Sequence, residues 1–176
     1  MLEGKLVNLR IMEKEDLPLY AEWLNNPDFY GKYDELYQRS RTEIVKSYED
    51  SPPEEKRFFI EKKDGTKIGV INHSKAEDAL EIGFTIVPTE RGKGYCSEAL
   101  KIMVDYLFLS KGIVRLQART DARNLASKRV LEKADFKKEG VIRKAAFIRG
   151  EWRDLFLYGI LREEWKAPKI LTKTAE

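Results

Sequence analysis

Cysteine and histidine are all but missing from this chain: Cys96 and His73 are single instances among 176 residues. One thiol rules out an internal disulfide and fits a reducing compartment. One imidazole without cysteine or histidine companions rules out a zinc site of the usual composition, so no metal is expected and His73 is read as a strand-end or surface residue. Long apolar runs are missing too. No stretch approaches the ~20 residues that a bilayer span requires, so no membrane partner is expected. The opening Met1-Leu2-Glu3-Gly4-Lys5 carries an acid and no apolar signal core, which reads as a cytoplasmic protein. An excess of one charge is likewise absent, with 33 Lys and Arg against 30 Asp and Glu and a formal net charge of +3. The basic residues are interspersed with acids, so nothing calls for a nucleic-acid partner; a polyanionic cofactor is enough to explain the small surplus.

What is present is an ordinary globular composition, 42% hydrophobic and 36% charged, long enough for one core. Residues 1–165 are expected to form a single domain and 166–176 a frayed tail. Lys5 to Ile11 alternates as a first strand. Glu13 to Asn25 sets Leu17, Tyr20, Ala21 and Leu24 on one side of a helix that Pro27 brings to a stop. Asp28 to Asp50, rich in aromatic residues, predicts one or two irregular helices. Arg57 to Lys62 and Lys67 to His73 pair about Asp64-Gly65, Ala79 to Val87 follows as a strand, and Ser97 to Leu109 has helical spacing. Val114 to Thr120 reads as a strand, Asn124 to Lys133 as a helix, and Phe136 to Phe147 and Trp152 to Leu161 as closing strands turned at Arg149-Gly150. The pattern is α+β, a mixed sheet flanked by helices.

The most informative stretch joins the Ala79–Val87 strand to the long helix. Gly92 and Gly94 carry no Cβ, so successive N–H groups of Arg91, Gly92, Lys93, Gly94, Tyr95, Cys96 and Ser97 can converge on an anion at the positive end of a helix. The Arg91 and Lys93 side chains add full charges. A phosphate or pyrophosphate suits such a loop. The residue order is neither that of a P-loop nor a complete dinucleotide fingerprint, since Ser97 stands where a third glycine belongs. A tight strand-to-helix turn that binds nothing satisfies the same glycines.

Several ordered motifs together resemble the GNAT acetyltransferase superfamily. Arg91-Gly92-Lys93-Gly94-Tyr95-Cys96 is similar to its Gln/Arg-x-x-Gly-x-Gly/Ala acetyl-CoA loop. Asn124-Leu-Ala-Ser127 followed by Leu131-Glu-Lys-Ala-Asp135-Phe136 resembles its Asn-x-x-Ser/Ala…Glu-Lys-x-Gly-Phe segment, and Arg149-Gly-Glu-Trp152-Arg-Asp154 resembles the closing hairpin of the RimJ/RimL-like branch, which acetylates N-termini of ribosomal proteins. The resemblance covers nearly the whole chain. It implies a mostly antiparallel seven-stranded sheet splayed in the middle, acetyl-CoA as co-substrate and an amine as acceptor, such as a protein N-terminus. A homodimer is also compatible with the aromatic closing strands.

By the same resemblance, the pantetheine arm of the coenzyme runs along Phe84, Thr85, Ile86 and Val87, and an N–H near Ile86 or Val87 faces the thioester oxygen. Glu81 is the candidate base. Ser127 is the candidate proton donor to the departing thiolate, with Asn124 beside the arm. The branch often has a glutamate in the last hairpin, but Lys144-Ala145-Ala146-Phe147 has alanine there. A weak base favours acceptors that are already partly neutral at pH 7, such as an α-amine with a pKa near ~8, over a lysine near ~10.4. Cys96 is passed over as a nucleophile because its loop holds the diphosphate, away from the thioester. A small amine, amino acid or antibiotic as acceptor, and a coenzyme-binding module without catalysis, remain open alternatives.

Overall fold

Strands buried on both faces collect apolar residues without alternation, and Phe58, Phe59 and Ile60 form such a run. They sit near the middle of an eight-stranded sheet in the computed structural model, which describes residues 1–171. The strands are β1 (Leu2–Glu3), β2 (Val7–Ile11), β3 (Lys56–Lys62), β4 (Lys67–Ala76), β5 (Ala79–Ile86), β6 (Arg115–Asp121), β7 (Lys137–Ile148) and β8 (Glu151–Leu161). The helices are α1 (Leu17–Leu24), α2 (Pro27–Tyr30), α3 (Arg41–Glu49), α4 (Tyr95–Ser110) and α5 (Leu125–Lys133). The eighth strand is β1, whose two residues are too few to show alternation.

The sheet order is β1-β2-β3-β4-β5-β6-β8-β7, antiparallel throughout except between β5 and β6. That parallel junction requires a crossover, and α4 supplies it. One face of the sheet packs on α4 through Leu100, Ile102, Met103 and Leu107, joined by Leu131 of α5. The other face packs on α1, α2 and α3 through Leu17, Leu24, Phe29 and Ile44 over Phe59 and Val70. Asp135 closes α5 with φ +65, a left-handed position that aspartate tolerates better than most residues.

Helix α4 buries two acids along with its apolar residues, and both are matched by donors, as burial of a charge requires. Glu98 accepts from the main-chain N–H groups of Leu6 at 2.6 Å and Val7 at 2.8 Å. Gly4 makes this approach possible, because a Cβ there would lie 2.8 Å from Glu98 Oε2 and 2.7 Å from Ile102 Cδ1. One turn pair further along, the fully buried Asp105 accepts from Trp165 Nε1 at 2.9 Å and from the N–H groups of Lys169, Ile170 and Leu171. The expectation of a frayed tail therefore fails for residues 169–171, which are tied to the helix; its remainder, 172–176, lies outside the described residues. The Arg162 guanidinium completes the clamp by donating to the carbonyls of Phe108 at 3.0 Å and Ile113 at 2.6 Å, at the negative end of α4.

His73 is a correction. It is fully buried rather than at a strand end or on the surface, because β4 continues to Ala76 and His73 shares the inward face of Ile71. Its ring lies 6.4 Å from that of Phe58, and neither nitrogen has a hydrogen-bond partner among the described residues.

Replacing Asp105 by asparagine turns an NH2 group toward donors. We expect Asp105→Asn to lower unfolding free energy by about 2–4 kcal/mol with an unchanged urea m value; an unchanged midpoint in urea denaturation contradicts the anchoring role. Burial pushes the His73 imidazole down to about 4 from the ordinary 6.5. The unfolded chain then binds the extra proton first, so stability is complete above pH 6.5 and falls as pH drops toward 4, by up to about 3 kcal/mol. His73→Phe should flatten that component when denaturation midpoints at pH 7 and pH 4.5 are compared with those of the unmodified protein.

Candidate active site

Strand β5 pairs with β4 along its whole length, from Gly69↔Ile86 to Ala76↔Ala79. With β6 it pairs only at Leu80↔Leu116 and Glu81↔Gln117, whereas β6 itself continues beside β8 as far as Asp121↔Leu155. The sheet thus parts immediately after Glu81. The gap leads into a groove of about 1260 Å³ lined by residues of β5, the loop before α4, α5, the segment 28–37 and the β7–β8 hairpin.

Main-chain groups along β5 alternate between its two edges. Val87 N–H donates to Ile68 O at 2.8 Å, so Val87 is committed to β4; on the opposite edge Ile82 N–H still belongs to the junction with Gln117, and Phe84 and Ile86 present their N–H groups to the gap. Of the two donors expected near the thioester, only Ile86 faces the right way. Its carbonyl on the same edge accepts from Arg91 Nε at 3.0 Å.

The loop before α4 has the backbone its glycines allow. Gly92 and Gly94 have φ of +78 and +87, and nothing lies within 4 Å of either would-be Cβ. Gly94 is the N-cap of α4 and offers no side-chain cap; among the described residues the N–H groups of Tyr95, Cys96 and Ser97 in the first turn have no main-chain partner either. They open onto the groove. The two basic side chains line it as well, with their charged ends bonded within the protein. Arg91 donates to Ile86 O, Asp28 O at 3.1 Å and Phe29 O at 2.5 Å, and Lys93 pairs with Glu90 at 3.0 Å. Cys96 packs against the core, and burial pushes its thiol up to about 12, which leaves it protonated and poorly nucleophilic. Cations missed in the sequence reading, Arg129 and Lys133 of α5, line the same groove; their i, i+4 spacing was the available signal.

Asn124 is the N-cap of α5, its side-chain oxygen accepting from Ser127 N–H at 3.1 Å. This turns Ala126, Ser127 and Val130 toward the groove. Glu81 also lines the groove, but both its oxygens are engaged: Gln117 Nε2 donates at 3.0 Å and Arg119 Nε and Nη2 at 2.9 Å. Nearby, Asp121 is buried, with Oδ1 accepting from Arg123 N–H at 2.8 Å and Oδ2 without a partner among the described residues. In the hairpin, Ala145, Ala146 and Ile148 line the groove. The wall formed by residues 28–37 carries Tyr30, Tyr33 and Tyr37 around Asp34, whose carboxyl is held above its usual range by burial. No group of three metal-ligating side chains, and no helix long and apolar enough to cross a membrane, occurs among the described residues.

Residues 7–137 match the model of the acetyltransferase (GNAT) domain. Among curated relatives, the probable N-acetyltransferase YjcK of Bacillus subtilis is 33% identical, with 93% of this chain and 98% of that protein aligned. Among solved structures, the spermidine N-acetyltransferase of Vibrio cholerae in complex with CoA and spermine superposes with a TM-score of 0.82 at 23% identity, covering 91% of this chain and 98% of that one. RimL, a ribosomal L7/L12 alpha-N-protein acetyltransferase in complex with coenzyme A, gives the same score at 19% identity, covering 93% and 98%. The parted sheet and glycine loop thus belong to a known architecture: the chain belongs to the GNAT acetyltransferase family and is an N-acetyltransferase that uses acetyl-CoA as co-substrate.

Proposed function

We propose that the acceptor is an α-amine, at the N-terminus of a protein or peptide, and that it attacks the thioester directly. The observation that carries this reading is the gap after Glu81↔Gln117, with the unpaired amides of α4 at its mouth. Main-chain N–H groups from Gly92 to Ser97 hold the coenzyme diphosphate, with Arg129 and Lys133 adding charge. The pantetheine arm extends the sheet along Phe84–Ile86 as an added strand. Ile86 N–H then polarises the thioester carbonyl.

The amine nitrogen forms a bond to the carbonyl carbon, the oxygen takes up the electron pair, and the C–S bond breaks as the carbonyl re-forms. Ser127 donates a hydrogen bond to the departing thiolate, and the amine proton leaves toward Glu81 through water. For Glu81 to accept a proton it must release a donor, Gln117 or one arm of Arg119. Losing that bond opposes proton uptake and favours an acceptor that is substantially neutral near pH 8. A polyamine is the second reading, favoured by Asp34 and the tyrosines on the acceptor wall, where further ammonium groups can pair with the carboxylate and the rings.

Thiol release from acetyl-CoA distinguishes the two readings. A peptide with a free N-terminus should outpace an N-blocked lysine peptide and spermidine; a preference for spermidine selects the polyamine reading, and no acceptor-dependent release contradicts both. Ser127→Ala should lower kcat about 10–100-fold with an unchanged Kd for acetyl-CoA. Gly94→Ala, forced into a left-handed backbone at the diphosphate site, should weaken CoA binding about tenfold in titration calorimetry.

A further inference from the structure

The geometry points to Arg91 as a positioning residue that carries the presence of coenzyme to the acceptor wall. It belongs to the glycine loop by sequence, yet its guanidinium donates to Ile86 O on the open edge of β5 and to Asp28 O and Phe29 O in α2. Helix α2 has only four residues, so those carbonyls have no helical donors of their own. Gly31, at φ +75, lies beside the guanidinium: a Cβ there would be in ordinary contact, 3.5 Å from Arg91 Nη1. Arg91 N–H is itself held by Pro88 O at 3.3 Å. One side chain therefore spans the coenzyme loop, the edge that presents the thioester donor, and the segment that leads into Tyr30, Tyr33 and Asp34.

A second guanidinium grips the same segment from the opposite wall. Arg149, at the β7–β8 turn, donates to Pro27 O at 3.1 Å, Gly31 O at 2.9 Å and Asp34 O at 3.3 Å. Arg149 does not touch the coenzyme loop in these bonds. Binding of a diphosphate draws the amides of residues 92–97 onto one anion, and the adjoining Arg91 then steadies residues 27–34 through its bonds to the Asp28 and Phe29 carbonyls. Coenzyme binding in this way prepares the acceptor wall before any acceptor arrives. This rests on the placement of the diphosphate proposed above.

Hydrogen exchange with free CoA as the probe tests it. In the unmodified protein, CoA should slow amide exchange in residues 92–98 and, about tenfold, in residues 28–34. In Arg91→Gln and in Arg91→Lys, which lacks the planar fork, the slowing at 92–98 should persist and that at 28–34 should vanish. In Arg149→Gln, residues 28–34 should exchange faster overall yet still respond to CoA. Absence of CoA protection at 92–98 overturns the diphosphate site itself. Protection there without any at 28–34, or a response at 28–34 that survives both Arg91 variants, overturns the coupling alone.

Discussion

The parting of β5 from β6 is the constraint on which the rest of the molecule depends. Each of the two strands is stitched to its outer neighbour, β5 to β4 over eight residue pairs and β6 to β8 over seven, and the two meet each other at only two. Since neighbouring strands twist relative to one another, a short junction lets them diverge. Beyond that junction no strand among the described residues pairs with the Phe84 and Ile86 N–H groups on the open edge of β5. An extended ligand with amides of its own completes the ladder.

Helix α4 fixes where that ligand begins. Glu98 and Asp105 are buried because each is surrounded by main-chain donors, from the chain's opening segment and from residues 169–171 respectively. Arg162 holds the other end. With the helix held at three places, its unpaired first turn stands at the mouth of the gap. The charged ends of the glycine loop's side chains are bonded within the protein. Arg91 and Lys93 satisfy carbonyls and a carboxylate of the protein, which leaves the main chain, with α5 behind it, to meet an anion.

Much of the architecture was legible because it follows from residues close together in the chain. The Asp64-Gly65 and Arg149-Gly150 turns and the period of α4 rest on local backbone preference. Strand β1 escaped notice because two residues carry no pattern. His73 was misplaced because the alternation of β4 weakens around Asn72, and burial of an unpaired imidazole is costly enough that a surface position is the natural expectation.

The sequence by itself determined the class of fold, the glycine loop before α4 and the family of the chain, since spacing over a few residues decides which elements form and where an anion can approach. Only the tertiary structure decided which way the side chains of that loop face and how free the candidate base is. Arg91 bonds to carbonyls 62 and 63 positions away, and Glu81 is held by Arg119, 38 positions away. Such pairings depend on how strands and helices are brought together, and no local spacing encodes them.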